Sequence, residues 1–445
     1  MIQPYGSSQM IYKRPAELLQ NLIRFDTSNP PGNEGRCIAY INELLTQAGI
    51  KTTLLSKTPD RPNLIARLKG RGDAPPLLMQ GHVDVMPVKN QKWTYPPFEG
   101  KEVDGYIWGR GALDMKGGVA MMLAAFLRAK AENYIPAGDI VFAALCDEEA
   151  LSNEGAKYLV KHHPEQFEGI RHAIGEFGSF SYNIGKHKFY LIQVAEKQIC
   201  HIRATISGPG GHGGLHMRGG TMAKLARFLF QLDQKRLPVH ITPVVRLLFE
   251  GMAAAFPSSS EFDLCQILDP TQTDGILDQL DDVGQIFDPW FHNSINATIV
   301  QGGTQFNVIP SEVVVDLDTR ILPGISPEEM FSELKDIIDD DVQLELIRHD
   351  PGPSEPNMDL FDTLADILRE SDPEAIPIPY LSAPITDARF FSQLGIQTYG
   401  FLPMNMPADF NFSKYIHAAD ERIPVDAVNF GANAIYKLIQ RYSGV

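Results

Sequence analysis

Apolar residues recur at helical spacing in two stretches near the start of the chain. Leu18, Leu19, Leu22 and Ile23 share one face of a helix that Pro15 opens. Ile38, Ile41, Leu44 and Leu45 share one face of a second, which Gly49 ends. The loop SNPPGNE (Ser28–Glu34) separates the two. Short apolar runs follow at Asn63–Leu68, Leu77–Met79 and Ile140–Leu145, and Val119–Ala129 reads as a buried helix. Apolar runs alternating with helices predict an α/β fold whose sheet is buried on both faces.

Near Lys197 the texture changes. Ile199–Ser207 alternates like a half-exposed strand, GPGGHGG (Gly208–Gly214) makes a loop, and Met222–Leu232 reads as an amphipathic helix. Asn296–Val300, Val313–Leu317 and Val342–Ile347 read as strands, with a helix at Pro327–Ile338. Residues 250–290, rich in Asp, Ser and Pro, read as an irregular insertion. This grouping predicts a small α+β domain inserted into a larger one. After Pro351–Pro356 the first texture resumes, with a helix at Leu360–Glu370 and an apolar run at Gln397–Leu402. The expected division is 1–197 and 351–445 for the larger domain and 198–350 for the inserted one.

Composition narrows the function. The chain has 445 residues, enough for two or three domains, with 44% hydrophobic and 21% charged residues. A net charge of −16 argues against nucleic acid or another polyanion as partner and suits a protein that holds cations. Cys37, Cys146, Cys200 and Cys265 are scattered, with no C-x-x-C pair, as in a reducing compartment. No signal-peptide pattern and no bilayer-length apolar run is present, so a soluble, cytoplasmic protein with no membrane partner is expected.

The candidate chemistry centres on WGRGALDMKGG (Trp108–Gly118), where glycines bend the backbone around Asp114. The Walker phosphate pattern is not met there. His82 and Asp84 follow an apolar run at a spacing of two, which on a strand puts both on one face. Asp84 can then take a hydrogen bond from one ring nitrogen and leave the other for a metal, although H-x-D pairs are also common as plain structure. Asp147, Glu148 and Glu149 close another apolar run. They fit a helix start capped by Asp147, but three adjacent buried carboxylates also call for cations. Glu176 follows a further apolar segment, and His417 lies far downstream in YIHAADE. Strand ends of open α/β sheets are where ligands bind, and nitrogen and oxygen ligands without sulfur suit zinc, cobalt or manganese. His162 and His163, before Pro164, read as surface or capping residues, and His216 stands off the motif.

In order along the chain, GHVDVMPV, W-x-x-x-P-F (Trp93–Phe98), WGRGALDMKGG, CDEEA, NVIP, DTRILPG, TDARFF and the final His resemble the co-catalytic zinc amidohydrolases. That family includes acetylornithine deacetylase, succinyl-diaminopimelate desuccinylase, aminoacylase and glutamate carboxypeptidase. The resemblance spans about Pro15 to Ile439. It implies a zinc-exopeptidase-like α/β domain with a central mixed sheet flanked by helices, and an inserted α+β lid that commonly dimerises.

Carried over residue by residue, the resemblance implies two divalent metal ions, Zn2+ or else Co2+ or Mn2+. His82 and Glu176 would bind one, Glu149 and His417 the other, and Asp114 would bridge them through a loop with a cis Asp114–Met115 peptide. Glu148 would be the general base and Asp84 would orient His82. His212 would reach across a homodimer to polarise the scissile carbonyl. Asn307, Arg320 and, more weakly, Arg389 would hold the carboxylate of a small-molecule substrate. As the resemblance has it, deacylases tend to carry Glu at the Glu176 position, and peptidases Asp. The reading is therefore hydrolysis of N-acyl amino acids, with a metallo-carboxypeptidase or dipeptidase as the alternative. A non-catalytic metal-dependent binding protein is the remote third, and it would have no need of Glu148.

Overall fold

The structure, a computed structural model, describes residues 8–256 and 264–444. It divides into two compact units: Met1–Val194 with Asn357–Tyr380 and Thr386–Val445, and Ala195–Pro356 with Leu381–Ile385.

The first unit is built on a nine-stranded mixed sheet. Its order is Thr52–Leu55, Asn63–Leu68, Ile140–Leu145, Leu77–His82, His172–Gly175, Gln397–Gly400, His187–Glu196 and Ala375–Ser382, with Ser181–Ile184 paired to His187–Glu196. Leu77–His82 runs parallel to both Ile140–Leu145 and His172–Gly175, and Gln397–Gly400 runs parallel to the latter. Every residue of Leu77–His82 and Ile140–Leu145 is buried, as expected for strands covered on both faces. Because these strands are parallel, their carboxyl ends share one edge, and the residues just beyond them are brought together there.

The helix Lys116–Ala131 is buried almost all round, so its sequence shows no polar face. Gly117 is required at its start, since a Cβ there would stand 2.2 Å from the Ala112 carbonyl oxygen. Four strands of this sheet, Thr52–Leu55, Ser181–Ile184, His187–Glu196 and Ala375–Ser382, have no counterpart in the sequence reading. Pro377 and Pro379 argue against a strand, but Ala375–Ser382 is an edge strand, where missing ladder donors are tolerated.

The second unit contains a four-stranded antiparallel sheet in the order Ser294–Gln301, Glu312–Ile321, Gln198–Ser207, Val342–Asp350. Cys200, Ile202, Ala204 and Ile206 alternate on one face with Val313, Val315 and Leu317 of the neighbouring strand. The helices Thr221–Gln234 and Pro327–Lys335 cover that face through Phe228, Met330 and Leu334. The opposite face carries ion pairs, Arg203 with Asp316 and Arg320 with Asp318.

The irregular insertion expected at 250–290 is helical instead. Pro243–Ala255, Thr273–Gln279 and Asp281–Phe291 are helices and Leu264–Leu268 a single-turn one, while residues 257–263 of that stretch lie outside the described residues. Phe249 joins the first of these to Asp281–Phe291, with ring centroids 5.4 Å from Phe287, 6.1 Å from Trp290 and 5.1 Å from Phe291. Thr242 caps the first of these helices by accepting from the Val245 amide, with Pro243 at its first position.

Lys197 is 1% exposed, and its ammonium donates to the His292 carbonyl at 2.8 Å and to Ser294 Oγ at 3.2 Å. Burial lowers its pKa to about 7. The folded pKa lies below the unfolded one of about 10.4, so between those values the unfolded chain holds a proton that the folded one lacks. Stability should therefore rise with pH from about 7 to about 10, by at most about 1.4 kcal/mol per pH unit from this group. Urea titrations of the wild type and Lys197→Met across that window check it; an equal slope in both would remove Lys197 as its source.

Candidate metal centre

His82 is the last residue of its strand, and its neighbours on the parallel strands lead into Glu176 on one side and into the Cys146–Ala150 turn on the other. His82 Nδ1 lies 2.9 Å from the Asp84 carbonyl oxygen and 3.4 Å from Asp84 Oδ1, which aims Nε2 into the site. There Nε2 is 3.1 Å from Asp114 Oδ1 and 3.0 Å from Glu176 Oε2. The other Asp114 oxygen, Oδ2, is 3.0 Å from His417 Nε2, which is 3.3 Å from Glu149 Oε2. The donors thus form two groups, His82–Asp114–Glu176 and Asp114–Glu149–His417, each with its ligand atoms within 4.8 Å of one another. Asp114 is common to both and turns a different oxygen to each. The Asp114–Met115 peptide is cis.

This arrangement fits a pair of divalent cations. Burial, with the Asp114 and Asp387 charges adding to it, pushes the Glu176 carboxyl up to about 8 despite His82. Burial and Glu176 raise Glu148 well above the usual range, and burial and Asp114 raise Glu149. Hydrogen bonding to Asp114 and Glu149 pushes His417 up to about 10. Glu176 Oε1 is buried with no hydrogen-bond partner among the described residues. Crowded, dry carboxylates of this kind need positive charge, and two imidazoles supply too little of it for four acidic groups. The donors are all nitrogen and oxygen, the set that suits zinc, cobalt or manganese.

Asp84 lies past the strand end, so strand alternation does not place it; a hydrogen-bond network does. Its Oδ1 and Oδ2 accept from the backbone amides of Glu148 and Glu149, each at 3.1 Å. Asp84 therefore holds the acidic turn as well as His82. Asp147, read as a helix cap, instead takes a left-handed conformation (φ 68°), and only a single 3-10 turn, Glu148–Ala150, follows. Asn29 donates through Nδ2 to Asp84 Oδ2 at 2.9 Å and to Asp147 Oδ1 at 3.0 Å, and Arg61 ties Asp147 to Glu34.

The sequence reading missed Asn29, and it missed two residues that matter more. Arg110 and Glu421 form a buried pair at 2.6 Å. Glu421 Oε1 accepts from the amides of Leu113 at 2.7 Å and Asp114 at 3.2 Å. Arg110 donates to the carbonyls of Met86, His417 and Ala418. One ion pair thus fixes the loops carrying Asp114 and His417 and the segment after His82. Both residues stood inside quoted motifs; an arginine and a glutamate with no metal to bind were the signal.

Arg389 joins the centre, with Nη1 3.7 Å from Glu148 Oε1. His212, Asn307 and Arg320 belong to the second unit. There, Gly211–His212 pairs with Val308–Ile309, which sets His212 beside Asn307. The Gly214 amide donates to His212 Nδ1 at 3.1 Å, so the ring's proton sits on Nε2. The Arg320 fork is held by Asp318 at 2.6 and 3.0 Å. His163 bonds Tyr158 and His216 bonds Arg218, apart from either metal group.

Residues 78–441 match the model of peptidase family M20/M25/M40. The chain belongs to this family of metal-dependent hydrolases of amide bonds. It is 29% identical over 377 residues to the human N-fatty-acyl-amino acid synthase/hydrolase PM20D1, covering 82% of this chain and 74% of that protein. It is 27% identical over 363 residues to a probable succinyl-diaminopimelate desuccinylase of Staphylococcus aureus, covering 80% of each. Human carnosine dipeptidase 1 has the same fold, with a TM-score of 0.68, 17% identity and 98% of both chains covered.

Proposed function

We propose that the protein is a di-metal hydrolase of N-acyl amino acids. The observation that carries this reading is the shared Asp114, whose two oxygens face the two separate donor groups. His82 and Glu176 would hold one cation, Glu149 and His417 the other, with Zn2+ the metal expected. Bound there, such cations would supply Lewis acidity, which polarises a scissile carbonyl and lowers the pKa of water.

The chain's own residues do the rest. Glu148, its side chain 11% exposed and facing Arg389, takes the proton of the attacking water and passes it to the leaving nitrogen. His212 offers Nε2–H to the carbonyl oxygen. Asn307 and Arg320 grip the α-carboxylate, with Asp318 orienting the Arg320 fork until substrate arrives. Among the described residues no helix is long and apolar enough to cross a membrane. Buried thiols at Cys37, Cys146 and Cys200 support a cytoplasmic setting.

The test is a substrate screen on zinc- or cobalt-loaded enzyme, comparing N-acetyl and N-aminoacyl forms of the same amino acids. A tenfold or greater preference for the acyl forms, about 1.4 kcal/mol in transition-state binding, is the expected result. The same preference for free-amine dipeptides would move the protein to the peptidase side.

Because His212 lies in the second unit, we expect a homodimer whose sites are completed in trans. The strand Ser294–Gln301 is a sheet edge exposed from Asn296 to Gln301, open to pairing with a second copy. Mixing inactive His212→Ala with inactive Glu148→Ala should restore activity through hybrid dimers. No rescue after verified subunit exchange would count against it.

A further inference from the structure

Glu148 and Glu149 are neighbours on one turn, and Asp84 holds both backbone amides alike, at 3.1 Å each. Their side chains nevertheless part. Glu149 Oε1 accepts from the Met86 amide at 3.1 Å, and Oε2 lies 3.3 Å from His417 Nε2, inside a donor group. Glu148 belongs to neither donor group, and its Oε1 faces Arg389 Nη1 at 3.7 Å.

Arg389 is 4% exposed, and its guanidinium is fixed from several sides. Nη1 donates to the Thr386 carbonyl, Nη2 donates to Ser152 Oγ at 3.5 Å, and the guanidinium carbon sits 4.4 Å from the centre of the Phe390 ring. Ser152 is fully buried, with a left-handed backbone (φ 58°). Its amide donates to the Asp147 carbonyl at 2.6 Å, and its hydroxyl to Asp387 Oδ1 at 2.5 Å. Ser152 thus ties the turn that carries Glu148 to the segment that carries Arg389.

We propose that Arg389 is a positioning residue that keeps the Glu148 carboxylate out of the metal ligand sets, with Ser152 and Asp387 holding its guanidinium in place. The inference rests on the reading of the protein as a di-metal hydrolase with Glu148 as base. A carboxylate with little access to water needs positive charge. Beside two divalent cations, an unheld Glu148 finds that charge on a metal and is lost as a base. A guanidinium stays charged and presents its donors in a fixed plane, so it offers Glu148 a competing partner. Two adjacent glutamates thereby take different tasks: Met86 and His417 claim Glu149, and Arg389 claims Glu148. A grip on the substrate carboxylate, the role that the family resemblance implies for Arg389, is the rival.

The experiment uses Co2+-loaded protein carrying Arg389→Met or Arg389→Lys, each with and without Glu148→Gln. Arg389→Met should lower kcat by about 10–100-fold, as for other partners standing behind ligands, and leave KM within about threefold. Arg389→Lys, which keeps the charge, should recover most of the loss. A grip on the substrate carboxylate gives the opposite split and overturns the proposal: KM rises, kcat holds, and the defect disappears with an N-acyl amino acid amide.

The visible absorption of Co2+ reports the ligand set without turnover. An added oxygen ligand raises the coordination number and weakens the band, so Arg389→Met should absorb less than the wild type. The double variant Arg389→Met/Glu148→Gln should absorb as Glu148→Gln does. An unchanged spectrum in Arg389→Met overturns the proposal, as does a change that persists in the double variant. Should Arg389→Met not fold, Ser152→Ala removes the acceptor of Nη2 and should weaken the band in the same way; no shift there overturns the proposal. If Glu148→Gln keeps full kcat, the base role fails, while the spectra still decide whether Arg389 holds that carboxylate off the metal.

Discussion

Glu148→Gln is expected to keep both metals and to lose about 100-fold or more in kcat/KM. Glutamine has the shape of glutamate and leaves the backbone amide free to bond Asp84 Oδ1 at 3.1 Å as before. The ligands proposed for the metals lie elsewhere, on His82, Asp114, Glu149, Glu176 and His417, so elemental analysis should still find two equivalents. What the substitution removes is a carboxylate that stands outside either donor group and faces Arg389. An amide there cannot take a proton from water or return it to a leaving nitrogen. Loss of a metal equivalent would make Glu148 a ligand, and unchanged kcat/KM would leave the proton to another group.

The parts of this site visible in the sequence are those where chemistry fixes residue type. A buried histidine after an apolar run, carboxylates in a row and an aspartate among glycines are unusual enough to stand out locally. The layer behind them is not local. Arg110 meets Glu421 across 311 positions, and Asn29 meets Asp147 across 118. No periodicity relates such pairs, and an arginine or asparagine in a loop reads as solvated surface until the fold closes over it.

The helices at 243–291 were hidden for a different reason. Val244, Val245, Leu248, Phe249 and Met252 do recur at helical spacing after a Thr-Pro start. Asp and Ser in the following stretch, with Pro289 inside a helix, drew attention to composition instead of period. In the sheet, apolar strands buried on both faces announced themselves, whereas an edge strand with two prolines did not.

The Arg110–Glu421 pair leads to the second large effect. Arg110 is 1% exposed and Glu421 0%. Glu421→Ala would leave a buried guanidinium without its counter-charge and the amides of Leu113 and Asp114 without their acceptor. Breaking a buried pair from one side costs about 3–5 kcal/mol, a large share of the roughly 5–15 kcal/mol that holds a typical domain folded. Glu421→Gln keeps an acceptor for both amides and loses the charge and the hydrogen bond from Arg110, so it should cost less. Because the same pair holds the loops of Asp114 and His417, metal affinity should fall as well, by about 10–100-fold, as for other partners standing behind ligands. Urea denaturation of metal-free protein isolates the first effect and competition with a chelator the second. If Glu421→Ala unfolds within about 0.5 kcal/mol of the wild type yet loses metal, the pair positions ligands without stabilising the fold. If it keeps both stability and metal, the network assigned to Arg110 and Glu421 is wrong.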